Sequence, residues 1–91
     1  MKMKAVITVV GKDTVGILAG VSNKCADHGV NIIDVSQTVL QEMFCMIMIG
    51  DTKQMNISFG DFSDELAKFG EEKGLSIHVM HEDLFNSMHR I

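Results

Sequence analysis

The 91-residue sequence contains no proline. Nor does it hold a low-complexity tract or a linker, so residues 1–91 read as one continuous domain. Cysteine is scarce: Cys25 and Cys45 are the two present, both inside apolar patterns. That placement excludes a disulfide framework and predicts reduced, buried thiols. Neither thiol has the electropositive surroundings that make a nucleophile. Positive charge is also thin, with 8 Lys and Arg against 12 Asp and Glu and a net charge of −4. Neutralising phosphates takes clustered cations, and the one exposed-looking basic pair is His89-Arg90, so nucleic acid is excluded as a direct partner. No apolar run approaches the ~20 residues of a membrane span. The opening MKMKAVITVV carries an apolar run of six before Gly11, Lys12 and Asp13 break it, a strand rather than a signal peptide. A soluble, cytoplasmic protein with no membrane partner is expected.

What the sequence does contain is a succession of short periodic segments. Residues 5–10 are rich in β-branched side chains and predict a first strand, left through a loop at 11–13. The period then changes: Val15, Leu18, Val21 and Cys25 recur at helical spacing, Asp13 or Thr14 is placed to cap the first turn, and Gly29 offers a left-handed stop. Residues 30–40 predict a second strand with Ile33, Val35 and Val39 on one face and Asp34, Ser36 and Thr38 on the other. Gln41 and Glu42 make a tight reversal into 43–49, MFCMIMI, which is apolar at every position and predicts a strand dry on both faces. A polar connection at 51–54 leads to Ser58 and Asp61, a capping box, with Ile57 set to staple onto Phe62. The second helix starts near Phe59, carries the stripe Phe59, Phe62, Leu66 and Phe69, and stops at Gly74. Residues 75–80 are a fourth strand. A short tail helix follows, with Leu84, Phe85, Met88 and Ile91 along one side.

Strand, helix, strand, strand, helix, strand is the order of the split βαβ, ferredoxin-like α+β sandwich: residues 1–81 form a βαββαβ core with a four-stranded antiparallel sheet, and 82–91 a helical tail. Both helices cover one sheet face, which leaves alternate residues of AVITVV and MFCMIMI bare on the other. An apolar surface of that kind marks a contact. A homodimer is expected, through that face with its Met43, Met46 and Met48 and its isoleucines, or through the edge of strand two.

The stretch GKDTVGILAGVS, residues 11–22, has two glycines five apart before a helix. A phosphate loop needs Lys and Ser or Thr after the second glycine, where Ile17 and Leu18 stand. The dinucleotide fingerprint needs a glycine where Asp13 stands. Together with Gly29-Val30-Asn31-Ile32 opening strand two, however, Gly11, Asp13 and Gly16 before helix one resemble the ACT domain family. The run GVNIIDVSQTVL is similar to stand-alone bacterial members and to the ACT half of the glycine cleavage system transcriptional repressor. The resemblance covers nearly the whole chain and departs at Thr14-Val15, where many members have Arg-Pro. It implies a small regulatory domain, a homodimer or larger assembly that binds a free amino acid beside the loop after strand one and strand two, and that modulates a metabolic enzyme or regulator. Carried onto this chain, the ligand residues are Gly11, Asp13, Thr14, Val15, Gly16, Ile17, Asn31 and Ile32. Backbone N–H groups near Gly16 suit a carboxylate, Asp13 an ammonium, and Asn31 can hydrogen-bond.

Each of these residues also has a packing explanation. Gly16 can relieve crowding, Asp13 can cap the helix, and Asn31 can tie up loop backbone. A protein-interaction module with no small ligand is the alternative reading. No motif pairs carboxylates for acid and base work, so no enzyme is expected. A strand places His78 and His81 on opposite faces, so these two, with Glu82 and His89, read as no metal site; no cofactor is expected. Duplex DNA or RNA should give no gel shift at sub-micromolar protein, and a retarded band that dissolves with added salt would contradict the charge reading.

Overall fold

The computed structural model describes residues 4–12 and 15–88. Their elements, in chain order, are β1 (Lys4–Lys12), α1 (Ile17–Asp27), β2 (Asn31–Leu40), β3 (Met43–Asp51), α2 (Phe59–Lys73), β4 (Leu75–His81) and α3 (Glu82–Met88). The strands form one antiparallel-paired sheet in the order β2-β3-β1-β4, which puts the two most apolar segments at its centre. This is the expected α+β, ferredoxin-like frame with a short C-terminal helix.

Strand alternation assigns the faces. Ile7 and Val9 of β1 and Phe44, Met46 and Met48 of β3 point to the helices and are buried. Against them pack Ile17, Val21 and Cys25 of α1 and Phe62 and Leu66 of α2. Phe62 and Leu66 are wholly buried, and at about 25 cal/mol per Å² such side chains contribute roughly 1.5–3 kcal/mol each relative to exposure. The α2 boundaries are as the sequence reads them: the Ser58 hydroxyl accepts the Asp61 N–H at 3.1 Å, and Gly74 stops the helix in the left-handed region.

Helix α1 differs from expectation. It begins at Ile17 with Gly16 in the N-cap position, where no side chain caps it; Asp13 and Thr14, the expected caps, lie outside the described residues. The buried stripe is accordingly Ile17, Val21 and Cys25, while Val15 is fully exposed and Leu18 is turned outward. Starting the helix later rotates the stripe, because an i, i+4, i+8 series from Ile17 lies closer to one line than the mixed spacing from Val15.

A bulge in β2 overturns its expected parity. Pairing with β3 runs Asn31 to Asp51 and Ile32 to Gly50, then resumes at Asp34 to Ile49, so Ile33 is the extra residue. Ile32 and Val35 thus both pack on the core, and Ile33 is exposed. Without the bulge, simple alternation would bury Ile33. The Gln41-Glu42 reversal has positive φ at both residues, 52° and 70°, the geometry of a two-residue hairpin matched to strand twist.

The far face of the sheet is bare only in part. Val10, Met43 and Ile47 are exposed there, with Cys45 and Ile49 half-buried, but Val6 is 1% exposed. Val6 lies at the end of the sheet where α3 packs on β1 and β4. The helical tail therefore shelters one end of a face expected to be open throughout. Met46 and Met48 are plain packing in the core, so of the three β3 methionines only Met43 is left for a contact surface. Ile91 and the pair His89-Arg90 lie outside the described residues.

Burial in this core pushes the Cys25 thiol up from 9.0 to about 11. Between roughly pH 9 and 11 the unfolded chain loses this proton while the folded chain keeps it, so stability should be full below that window and fall through it. Ellman's reagent should modify the half-exposed Cys45 in the native protein and reach Cys25 only on unfolding. Equal native reaction rates for the two thiols would contradict the packing.

Candidate functional site

The loop that leaves β1 is built around two glycines with different tasks. A Cβ on Gly11 would lie 2.6 Å from Leu75 Cδ2, so Gly11 is there to let the start of β4 close on β1. Gly16 has φ 86° and ψ 10°, a left-handed residue with nothing within 4 Å of where a Cβ would stand. Among the described residues no side chain caps the α1 N-terminus beyond it, and the first turn holds no acidic residue. A helix N-terminus of this kind favours negative charge. Ile17 is taken up by the core, and Val15 projects into solvent. Asp13 and Thr14 lie outside the described residues.

Asn31 and Ile32 are at the opposite end of the sheet. Both β1 and β2 run antiparallel to β3, and Lys4 and Asn31 share the register partner Asp51. The end of β1 and the α1 N-terminus lie instead beside Met43 and Leu75. At about 3.3 Å per residue, the length of β1 from Lys4 to Gly11 separates the two groups by roughly 23 Å. Ile32 packs on the core, whereas the Asn31 side chain is exposed.

Asn31 borders a cleft of about 290 Å³ lined by Gly29, Asn31, Asp51, Lys53 and Gln54. Its walls are two loops fastened together. Asn56 N–H donates to the His28 carbonyl at 3.0 Å, and the Asn56 side-chain amide donates to the Asp27 carbonyl at 3.2 Å. The His28 ring lies 3.2 Å from Asn56 Oδ1 through Nδ1 and 2.6 Å from Glu65 Oε2 through Nε2. Lys24 Nζ approaches the same carboxylate at 3.8 Å. At the floor, Gly29 has φ 74°, and a Cβ there would be 2.5 Å from the Gln54 carbonyl oxygen. Asp51 Oδ1 accepts the Lys53 backbone N–H at 2.8 Å, which fixes its carboxylate at the rim.

Asp51, Lys53 and Gln54 read in the sequence only as a polar connection. The signal that joins Asp51 to Asn31 is the strand register, and that depends on a bulge that composition does not reveal. The histidines do not converge: His78 is exposed on the face away from α1 and α2, and His81 stacks on Phe59 at 3.9 Å. Among the described residues no three His, Cys, Asp or Glu side chains gather around a common point.

A family model described as ACT domain matches residues 4–80. The chain is 47% identical over 88 residues to a UPF0237 protein of Methanopyrus kandleri, covering 97% of this chain and 98% of that one. Among solved structures it is similar to an ACT domain protein from Streptococcus pneumoniae, with 42% identity and a TM-score of 0.81 over 98% of this chain and 100% of the other. It also shares its fold with a candidate glycine cleavage system transcriptional repressor, at 24% identity and a TM-score of 0.72, over 89% of this chain and 46% of that protein.

The two left-handed glycines should respond differently to substitution. Gly16→Ala meets open space and should cost only the left-handed backbone term, about 1 kcal/mol. Gly29→Ala adds a collision with the Gln54 carbonyl and should cost at least about 1 kcal/mol more. Urea unfolding of the two variants checks the order; equal losses would contradict the close approach at Gly29.

Proposed function

The chain belongs to the ACT domain family, and from that premise we propose that it is a regulatory module that binds a free amino acid between two copies of itself and so modulates an enzyme or regulator. The family is not catalytic, and this chain is not an enzyme. Among the described residues, no helix is long and apolar enough to cross a membrane.

One observation carries the reading. The α1 N-terminus at Gly16 and the exposed Asn31 lie at opposite ends of one sheet, so a single chain cannot close both on one small ligand. A two-fold axis beside the edge strand β2 removes the difficulty. It pairs β2 antiparallel with its copy and brings the second copy's Asn31 end alongside the first copy's Leu40 end, where Gly16 also lies. Ile33, Val39 and Leu40 are exposed along this edge, Leu40 at 69%. In such a dimer Val15 and Gly16, with Asp13 and Thr14, would supply one wall and Asn31 of the second copy the other, Ile17 and Ile32 contributing backbone while their side chains stay on the core.

The other surface, with Val10, Met43 and Ile47 bare, favours the second reading, an interaction module without a small ligand.

Light scattering coupled to size exclusion should give about twice 10.0 kDa. Ile33→Lys with Val39→Lys should return a monomer, because charge on an edge strand blocks pairing, and Ile47→Lys should not. At roughly one hundred times its dissociation constant an amino acid specific to the native state adds about 2.7 kcal/mol, several degrees of melting temperature in a domain this small. Gly16→Asn tolerates the left-handed backbone while filling the open space, and should abolish that shift. If none of the twenty amino acids raises the melt at millimolar concentration, the interaction module replaces this reading.

A further inference from the structure

The cleft at the start of β2 carries a carboxylate, an ammonium and an amide within one small polar space. We propose that Asp51 and Lys53 are its recognition pair, Asp51 holding the α-ammonium and Lys53 the α-carboxylate of a free amino acid, with Asn31 hydrogen-bonding between them. The inference rests on the amino-acid reading above and adds to it two charged residues outside the loop after β1.

Three observations support the assignment. The Asp51 carboxylate is held in place, one oxygen accepting the Lys53 N–H at 2.8 Å, and retains acceptor capacity for an incoming ammonium. Among the described residues neither Asp51 nor Lys53 is in an ion pair, although Lys4 is the register partner of Asp51 on β1. The held Asp51 carboxylate meets an ammonium with little reorganisation, and the exposed Lys53 side chain supplies the opposite charge on the same rim. Rigidity comes from the His28–Asn56–Glu65 clasp and from the Gly29 backbone pressed on Gln54.

The size and lining narrow the ligand. About 290 Å³ lies at the lower limit of small-molecule sites, and the five lining residues offer no apolar or aromatic wall. The cleft thus reads the two charged groups of the ligand and gives a bulky apolar side chain nothing to pack on. A small or polar amino acid is the expected class.

The test is a set of titrations by calorimetry on the full chain. The twenty free amino acids are screened first, and the tightest binder is then compared with its α-carboxamide and its α-hydroxy acid. Wild type should lose roughly tenfold or more in affinity for each analogue, the worth of a charge-assisted hydrogen bond. Asp51→Asn keeps an oxygen for the Lys53 N–H, so the loop should persist; it should bind the amino acid roughly tenfold or more weakly and no longer discriminate against the hydroxy acid. Lys53→Gln should lose the discrimination against the carboxamide. In wild type the backbone amides of Gly29, Asn31, Lys53 and Gln54 should shift in ¹H–¹⁵N spectra as the amino acid is added, a readout independent of whether either variant folds.

If an amino acid binds wild type and both variants with equal affinity and equal discrimination, or if those four amides stay still while it binds, the Asp51–Lys53 pair is wrong and the amino-acid reading stands. If none of the twenty binds, both fall.

Discussion

The geometry of the crossover from β1 to β2 constrains everything this domain can do. Because β1 and β2 run the same way on either side of β3, helix α1 must carry the chain back along the full length of the sheet. Its beginning and the first residue of the next strand are therefore held at opposite ends. The core enforces that separation, since Ile17, Val21 and Cys25 are wedged against the strands and α1 cannot slide without opening them. A ligand that needs both ends must find the second one on another molecule. Assembly and recognition are then one event, because whatever bridges two chains favours the assembled state over the separated ones.

The parts of the fold legible in the sequence are those where local chemistry and tertiary packing agree. Ser58 and Gly74 bound α2 because a hydroxyl acceptor and a left-handed residue are each nearly sufficient by themselves. The apolar centre of the sheet is legible for the same reason: AVITVV and MFCMIMI have no other way to be buried. The start of α1 is not, since Asp13, Thr14 and Gly16 all have cap chemistry and the choice falls to where Ile17 meets the core. The bulge at Ile33 is equally silent, as the apolar residues Ile32, Ile33 and Val35, around a single Asp34, satisfy either parity until β3 is beside them.

The candidate site divides along the same line. Gly16 is legible because a glycine before a helix has few uses, and Asn31 because it follows a helix stop. What brings Asn31 beside Asp51 is strand register, a long-range property, and what seats Lys53 and Gln54 against Gly29 is the clasp between two loops about twenty-five residues apart in sequence. Gly11 shows the converse. It belongs to the same motif as Gly16, yet Leu75 accounts for it, so a shared motif contains both a residue that makes room for a strand and one whose left-handed backbone has open space beside it.

The bulge has a consequence beyond parity. A long, flat edge strand is a template on which copies can stack without limit, and β2 would be such an edge if its ladder were regular. Ile33 interrupts it, so the stretch able to pair outward regularly runs from Asp34 to Leu40 and stops there. The added local twist turns the rest of the strand out of the plane. Outward pairing along this edge is therefore confined to one short regular stretch, and the same irregularity that displaces one isoleucine to the surface makes the edge a poorer template for further strands.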